Sequence, residues 1–541
     1  MRWSVKKRVL VSCFVGWGLS ILGAGLIPLL DFVIRKMVEQ NVVISPNNDL
    51  VYKIWKDYPI PIYMQFYIFN VTNPKAVLQG KKPHLKQTGP YTYSEKRFKF
   101  NITFNPNGTV TYRQKRVFQF LRDKSVGNES DIFTSPNPLF WTLISSLKME
   151  SGEVRKVVKD ILNLFDEHAF THRSVKELLW GYQDALLNAS QKIDPEWFYT
   201  DIIGYFINKN DTDDGVYTVY TGEKDISFLG VIDKYNGSSV LPFWTTYYAN
   251  MINGTDGTMS PPYIDKSRTM FSFASDVCRS VAGVYSEDSL TPQGIDVWRF
   301  TAPLNYLQNA TVNPDNMGFC TPQNNCLGQG LINVSNCQLV DFFHIPAVLS
   351  FPHFYLADKK YLDAVVGLNP NEAEHQTIVD VEPYTGLVLQ AAKKLQINLY
   401  LEPIANITET ENITEVFLPI FWLNESAVID DENADKMNSM LFTPLKIIWV
   451  LEISLISVGL LVVLVSVMYC AFNRHLIFTS TTSRKVKVEP SFNEGPGTEY
   501  DHTGQNERSP LINSDNLYRI FLFCPGTIVS FGYEINFDAI V

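Results

Sequence analysis

Two apolar segments near the ends of the chain constrain its fold more than any other feature. Residues 9–30 contain no charged side chain, and residues 447–472 contain one, Glu452. An α-helix rises ~1.5 Å per residue, so each segment is long enough to cross a hydrocarbon core of ~30 Å. We therefore predict two transmembrane helices, with Glu452 near one membrane interface. The alternative for residues 9–30 is a cleaved signal peptide.

Basic residues flank both apolar segments on the side of the nearer chain terminus. Lysine and arginine are concentrated in residues 2–8 and again in residues 474–487. Short basic flanks stay on the cytosolic side of a membrane. The sequence thus predicts cytosolic tails at residues 1–8 and 473–541, and a lumenal or extracellular domain at residues 31–446.

This predicted external domain contains every Asn-x-Ser/Thr sequon of the chain. Such asparagines accept N-linked glycans in secreted proteins when they are exposed. Their confinement between the two apolar segments supports the topology independently of the charges. The predicted glycosylation sites are Asn70, Asn101, Asn107, Asn128, Asn188, Asn210, Asn236, Asn253, Asn309, Asn333, Asn406, Asn412 and Asn424.

Four cysteines, Cys278, Cys320, Cys326 and Cys337, lie in the external domain. In an oxidising compartment an even set of cysteines indicates disulfides. A zinc site is the alternative, although the spacing matches no usual pattern of zinc ligands. The sequence therefore predicts two disulfides, and the spacing alone does not decide which cysteines pair.

Much of the external domain alternates between apolar and polar residues, as in residues 62–68. This period of two, interrupted by Asn-Gly and Asp-Gly turns, predicts antiparallel strands. Residues 137–205 instead show helical spacing, and Ser174 and Glu177 form a capping-box signature for one helix. We therefore predict an α+β fold in which a small helical subdomain is inserted into a sheet or barrel.

One predicted helix of this subdomain carries an apolar stripe at helical spacing. Such a stripe is either the core face of a helical bundle or a surface that binds a partner, and the sequence leaves both interpretations open. The stripe consists of Val154, Val157, Val158, Ile161, Leu162 and Phe165.

No catalytic, cofactor or nucleic-acid signature occurs in the sequence. The motifs of serine hydrolases, phosphate-binding loops and zinc proteases are missing. The net charge of −10 is opposite in sign to that of a typical nucleic-acid-binding protein. His168 and His172 are four residues apart, but no third metal ligand lies near them in the sequence. We predict that the protein is not an enzyme and uses no metal or cofactor.

Several blocks of the external domain are distinctive. They are QFYIFNVTNP from Gln65, GPYTY from Gly89, LLWGY from Leu178, NMINGTDG from Asn250, NNCLGQG around Cys326, FPHFYLAD from Phe351 and AAKKLQIN from Ala391. With the two apolar segments, these blocks resemble the class B scavenger receptors, the fatty-acid translocase family. The resemblance covers about residues 50–445 and is greatest to the lysosomal members of that family.

This resemblance implies an irregular antiparallel β-barrel, capped by an apical helical bundle and traversed by a tunnel for sterol or phospholipid. It also implies the disulfides Cys278–Cys337 and Cys320–Cys326. Lysosomal members carry the hydrolase β-glucocerebrosidase on an apical helix, which corresponds to the helix with the apolar stripe. The expected location is then the lysosomal or late endosomal membrane. The alternative is a cell-surface or endosomal receptor for lipids or lipoproteins that carries no enzyme.

The chain departs from the lysosomal pattern at the start of the expected cargo-binding helix. The lysosomal members have a histidine there, thought to trigger release of the cargo in acid, whereas residues 149–153 contain none. We therefore expect any pH switch to use His168 and His172, whose imidazoles titrate between neutral and lysosomal pH, or the carboxylates of Glu150 and Glu153.

Small residues recur every four positions in the first apolar segment, at Ser12, Gly16, Ser20 and Ala24. A stripe of small side chains lets a second helix approach closely. It predicts a contact with the other apolar segment or with a second copy of the chain in a homo-oligomer, unless the stripe faces lipid.

The C-terminal tail contains an acidic dileucine pattern formed by Glu507, Leu511 and Ile512. Clathrin adaptors bind such motifs by placing the acid in a basic site and the two aliphatic side chains in an apolar slot. The motif therefore predicts sorting to lysosomes. The 29 residues that follow it have no counterpart in the resemblance.

Replacing both aliphatic residues of this motif, Leu511→Ala/Ile512→Ala, should move the protein toward the cell surface, because the apolar slot of the adaptor would lose its ligand. Surface biotinylation measures the change against the wild-type chain. An unchanged surface fraction would refute the sorting role.

Overall fold

The structure is a computed structural model that describes residues 5–473, except residues 197, 324, 338 and 341–342. The described chain divides into two compact units. The smaller one comprises the residues up to Phe32 and those from Thr443 onwards, and the larger one comprises Val33–Phe442. The predicted sorting motif in the tail lies outside the described residues.

Helices and strands are numbered in chain order. The helices are α1 Val5–Val42, α2 Asp49–Lys56, α3 Pro74–Val77, α4 Pro138–Ser146, α5 Gly152–Leu164, α6 Val175–Trp180, α7 Ala185–Ile193, α8 Tyr247–Asn250, α9 Lys359–Asp363, α10 Glu372–His375, α11 Asp431–Met437 and α12 Thr443–Phe472. The strands are β1 Ile62–Val71, β2 Leu85–Asn105, β3 Thr109–Phe120, β4 Ile132–Pro136, β5 Phe170–Ser174, β6 Tyr182–Gln183, β7 Ile202–Ile203, β8 Thr212–Tyr220, β9 Ile232–Tyr235, β10 Met270–Ala274, β11 Arg279–Leu290, β12 Asp296–Thr301, β13 Ile332–Asn333, β14 Leu339–Val340, β15 Phe343–His344, β16 Ala347–Ser350, β17 Ile378–Val381, β18 Val388–Leu401 and β19 Val416–Val428.

One large sheet of thirteen of the described strands forms the framework of the larger unit. β18 and β19 form an extended antiparallel ladder, in which Leu395 lies opposite Leu423 and Leu401 opposite Val416. β1 alternates between buried and partly exposed side chains over most of its length, as the period of two in its sequence predicts. The predicted α+β class is therefore confirmed.

The ladder of strands is open, which corrects the predicted barrel. It runs from β10 to β9, and these two strands are not paired with each other. The Gly254 carbonyl accepts a hydrogen bond from the Ile232 N–H of β9 at 2.9 Å, and the Thr255 N–H donates to the Phe271 carbonyl of β10 at 3.2 Å. Gly254 and Gly257 have φ angles of +83° and +86°, which interrupt a strand. An irregular segment thus occupies the place of a closing strand.

The chain between β3 and β8 forms the helices α4 to α7. Trp180, at the end of α6, packs on the sheet: its ring centroid lies 5.2 Å from those of Tyr93 in β2 and Phe118 in β3. The predicted capping box opens α6, because the Ser174 hydroxyl accepts from the Glu177 N–H and the Glu177 carboxylate accepts from the Ser174 N–H. Local capping and aromatic packing together attach this helical region to the sheet.

In the smaller unit, α1 and α12 are long and apolar enough to cross a membrane. They approach each other through small residues. Gly16 of α1 faces Gly459 of α12, and a Cβ added to Gly16 would lie 2.7 Å from the Gly459 carbonyl oxygen. The Ser20 hydroxyl donates a hydrogen bond to the Ile456 carbonyl at 3.3 Å. Neither glycine can therefore be enlarged without separating the helices.

The predicted stripe of small residues is only partly right. Gly16 and Ser20 are buried in the helix contact, but Ala24 is exposed. Gly23 takes its place, and a Cβ added there would lie 2.8 Å from the Ile456 side chain. A spacing of four drifts around a helix of ~3.6 residues per turn, so a sustained contact alternates between steps of four and three.

Gly459→Leu should separate α1 from α12, because even a Cβ at this position would lie 2.6 Å from the Gly16 carbonyl oxygen. We expect a Ser20→Cys/Ile456→Cys pair to form a disulfide in membranes under mild oxidation, and Gly459→Leu to suppress it. Gly18→Leu is the matched control, since a Cβ at position 18 meets no atom within 4 Å. Cross-linking that survives Gly459→Leu, or that Gly18→Leu suppresses equally, would contradict the contact.

Candidate functional site

Local sequence signals define both ends of α5, the helix with the predicted stripe. The Ser151 hydroxyl accepts a hydrogen bond from the Val154 N–H at 3.4 Å, and Glu153 lies in the first turn, where the helix dipole favours an acid. The helix ends at Leu164, and Asp166 follows with a φ of +59°, a left-handed conformation common just after helices.

Half of the predicted stripe belongs to the core. Leu162 is 2% exposed and lies in the main hydrophobic cluster of the larger unit. Val158 and Phe165 are partly buried and pack against the same cluster. These three side chains therefore hold α5 against the body of the domain.

The other three residues of the stripe, Val154, Val157 and Ile161, are exposed, and so are two further apolar residues outside the stripe. Val157 is 58% exposed, Leu164 78% and Met149 95%. The helical members lie three or four residues apart, so they share one face of α5. We call this surface the α5 ridge. It consists of Met149, Val154, Val157, Ile161 and Leu164.

Polar contacts anchor α5 without covering the ridge. The Lys159 ammonium group donates a hydrogen bond to the Thr408 hydroxyl at 2.6 Å. The Arg155 guanidinium donates to the carbonyls of Leu147 and Lys148 at 3.0 and 2.9 Å. An apolar row that stays exposed on an anchored helix is typical of a surface that binds another protein.

The two predicted pH-sensing histidines contact different groups. His168 Nδ1 lies 2.5 Å from Glu409 Oε1, and His168 Nε2 lies 3.0 Å from Asp166 Oδ1. The hydrogen bond to Glu409, with the nearby Asp166 carboxylate, raises the pKa of His168 above its usual value. His172 is exposed, and its Nδ1 lies 2.9 Å from the Thr134 hydroxyl. The structure therefore does not bring the two imidazoles together.

Sequence reasoning missed Glu167, a buried carboxyl group in the loop after α5. Its Oε2 accepts a hydrogen bond from the Asn137 amide at 2.6 Å. Burial, followed by the neighbouring Asp184 carboxylate, raises the pKa of Glu167 to about 7. Glu150 and Glu153, the predicted acidic switch residues, are both exposed. No local pattern distinguishes the buried carboxyl from the exposed ones.

The large sheet surrounds a cavity of about 260 Å³. Its lining is mainly apolar and comes from strands on both sides of the central ladder, as in many sites for apolar ligands. The apolar lining includes Phe271, Phe273, Val281, Phe300, Leu349 and Val388.

A network of ion pairs, whose side chains are buried or partly buried, crosses this apolar lining. Arg97 of β2 contacts Glu95 at 2.6 Å and also contacts Glu425 of β19. Arg116 of β3 donates to both carboxylate oxygens of Asp276 at 2.8 Å. Burial opposes ionisation of Asp276, but Arg116, together with Lys393 and Lys209, outweighs burial and holds the pKa of Asp276 well below its usual range. These residues were not singled out from the sequence.

The remaining predicted site residues lie in the larger unit. Cys278 is bonded to Cys337, and Cys320 to Cys326. The predicted glycosylation sites differ in accessibility, and the other asparagines of that set are partly buried. The exposed ones are Asn101, Asn107, Asn128, Asn210, Asn236, Asn406 and Asn412.

Comparisons with known proteins identify the family. The profile of the CD36 family matches residues 14–470. Scavenger receptor class B member 1 of Sus scrofa is 37% identical over 459 residues, which cover 84% of this chain and 88% of that protein. Lysosome membrane protein 2 of Homo sapiens is 38% identical over 441 residues, which cover 80% of this chain and 90% of that protein. The predicted resemblance is thus confirmed, and the chain belongs to the CD36 family of class B scavenger receptors.

Proposed function

We propose that this membrane receptor binds a hydrolase of the β-glucocerebrosidase type on the α5 ridge and carries it to lysosomes. The observation that carries the proposal is the exposed apolar ridge on an anchored helix. Two further observations support delivery to lysosomes: a lysosome membrane protein is among the relatives, and Glu507, Leu511 and Ile512 match the acidic dileucine pattern. The receptor would then reside in lysosomal and late endosomal membranes.

The ridge has the composition of the centre of a binding site. Burial of apolar surface contributes ~25 cal/mol per Å², and the ridge offers roughly several hundred Å². Because the entropy of association offsets much of this gain, a few central side chains should dominate the affinity. The charged residues Glu153, Lys156 and Asp160 are exposed on the same helix and would form the polar rim.

Two titratable groups, His168 and Glu167, make the stability of the segment after α5 depend on pH. The pKa of His168 is raised in the folded protein, so its pairing with Glu409 is complete below ~6.5 and is lost as the pH rises through the folded pKa. Folding likewise favours protonated Glu167, and that contribution is lost as the pH rises through about 7. Acid therefore stabilises this segment. Release of cargo in lysosomes would then follow from a stiffer segment.

The apolar cavity favours a second function, the binding and transport of lipid. A sterol ring system or an acyl chain would fit the chemistry of the walls, which are mainly apolar. The cavity lining and the α5 ridge share no residue, so both functions are compatible in one molecule. Lipid binding without cargo would instead describe a cell-surface or endosomal lipid receptor.

Val157→Asp or Ile161→Asp should weaken binding of β-glucocerebrosidase by at least about tenfold, because each places a charge in the centre of the proposed apolar contact. The full-length receptor in detergent is titrated with the purified enzyme near pH 7 and near pH 5, and the receptor's glycosylation and export are monitored in parallel.

Ile193→Asp is the matched control for these variants, because Ile193 is also exposed but lies on α7, outside the ridge. Leu162→Asp should instead prevent export, since Leu162 belongs to the core. Unchanged affinity in both ridge variants would eliminate the ridge as the cargo site. A wild-type receptor that binds no enzyme at either pH would leave lipid handling as the leading function.

His168→Gln should reduce the thermal stability of the protein more at pH 5.5 than at pH 8, because the paired, protonated imidazole contributes most below its unfolded pKa. Differential scanning fluorimetry over this pH range measures the difference in melting temperature from the wild type. His172→Gln is the matched control, since His172 contacts a hydroxyl group rather than a carboxylate.

A stability difference that grows toward alkaline pH would show that the direction of this effect is wrong. The double variant His168→Gln/His172→Gln separates stability from release. If it releases the enzyme with the pH dependence of the wild type, the histidines have no part in the switch.

A further inference from the structure

Arg279 is a buried cation in the wall of the cavity. It is the first residue of β11 and directly follows Cys278, which is bonded to Cys337. Its exposed fraction is 8%, although arginine is among the residues that are seldom fully buried without a partner. It lines the large cavity together with Tyr306.

The guanidinium group of Arg279 has few partners within the described part of the chain. Its Nη2 donates a hydrogen bond to Asn316 Oδ1 at 3.2 Å, whereas its buried Nε has no acceptor. No carboxylate of the described residues lies within ion-pair distance of it. The rings of Tyr306 and Phe319 lie 4.2 and 3.7 Å from the guanidinium carbon, which stabilises the cation without satisfying its N–H groups.

The other cations in the wall of this cavity are neutralised by carboxylates. Arg97 contacts Glu425, Arg116 binds Asp276, and Lys393 lies 3.4 Å from Glu425. Burial of an ion is unfavourable unless it is paired or fully hydrogen-bonded. Among the described lysines and arginines of the lining, Arg279 is thus the one that retains the capacity to bind an added anion.

Arg279 borders two spaces of different volume. On one side lies a cleft of about 30 Å³ beside the Cys320–Cys326 disulfide, lined in part by Asn316 and Phe319. On the other side lies the cavity of about 260 Å³ with its apolar walls. Of these two spaces, the cavity is the one with room for the apolar chain of a lipid.

We propose that Arg279 forms an anion-binding subsite in the wall of the cavity, which takes the carboxylate or phosphate head group of a lipid whose apolar chain lies in the cavity. The inference rests on the lipid-binding function proposed above and adds the charge of the ligand to it. Arginine suits this role because its planar fork donates two parallel hydrogen bonds to either group.

Three probes with the same acyl chain test the subsite on the full-length protein in detergent: oleate, oleoyl lysophosphatidate and oleyl alcohol. The wild type should bind at least one of the two anions at least about tenfold more tightly than the alcohol. Arg279→Met should remove that preference, so that the anions bind no more tightly than the alcohol. Arg268→Met is the matched control, because it removes an arginine whose side chain is 83% exposed.

The outcomes separate the subsite from the lipid-binding function. A preference for oleate alone identifies a carboxylate ligand, and a preference for lysophosphatidate alone identifies a phosphate ligand. An anion preference that persists in Arg279→Met, or a wild type that binds all three probes equally, overturns the subsite while lipid binding stands. A wild type that binds none of the probes overturns the lipid-binding function and the subsite together.

A second measurement needs no substitution, because Arg279→Met could prevent folding next to the disulfide. Oleate with a diazirine group beside its carboxylate is photolysed on the wild-type protein, and the labelled residues are mapped by mass spectrometry. We expect labels on Tyr306, Asn316 or Phe319, which contact the guanidinium group. Labels confined to other parts of the cavity overturn the proposal.

Discussion

The ion pairs in the cavity wall hold the large sheet together where strand pairing does not. Arg116 lies on β3, near one end of the open ladder, and its partner Asp276 follows β10 at the other end. Lys393 of β18 joins this pair to the Arg97–Glu425 pair, because its ammonium group lies 4.0 Å from Asp276 and 3.4 Å from Glu425. Removing one partner would leave the other charge unpaired at a site largely shielded from water, which is unfavourable. In place of a closing strand, these charges therefore constrain the distance across the cavity.

The same arrangement gives the cavity its chemical character. Since the paired charges cancel, the wall presents apolar surface to a ligand, interrupted by polar groups that already have partners. A cation outside the network can then bind an anionic ligand strongly, because nearby protein carboxylates do not compete for it. Arg279 holds that position through two aromatic rings rather than an acid. The wall is thus mainly apolar and, at Arg279, carries a positive charge that no carboxylate of the described residues neutralises.

Local patterns in the sequence predicted the elements, whereas contacts between distant elements decided the sites. The period of two in β1 and the capping box at Ser174 are local, and both predictions were correct. Tyr91, Tyr93, Glu95 and Arg97 also follow a period of two, so the charges share a face with two buried tyrosines. That signal was present, but a charged residue in a strand is normally interpreted as facing solvent. Glu95 pairs with the neighbouring Arg97, and Arg97 also pairs with Glu425 of β19, which is distant in the sequence.

Neighbouring residues of the apolar stripe also differ in burial because of contacts with distant elements. Ile161 and Leu162 are adjacent and equally apolar, yet Leu162 is buried in the core and Ile161 lies on the ridge. The sequence predicted the helix and the stripe. Which residues of the stripe are buried and which are exposed depends on the elements that pack against each side of the helix. The open ladder was likewise not predictable, because the conformation of Gly254 is set by its contacts with β9 and β10.

Acid should affect the two candidate sites differently. The pKa of Glu425 is held at about 2, because Lys393 and Arg97 outweigh the effect of burial, so this carboxylate stays ionised in lysosomes. Burial raises the pKa of Glu95, but Arg97 retains Glu425 as a partner when Glu95 is protonated. The ion pairs made by Glu425 and Asp276 therefore persist at a pH that changes the charge of Glu167 in the loop after α5. If both proposed functions hold, acid would act on the ridge and leave the cavity intact. The receptor would then release its cargo in lysosomes and still bind lipid there.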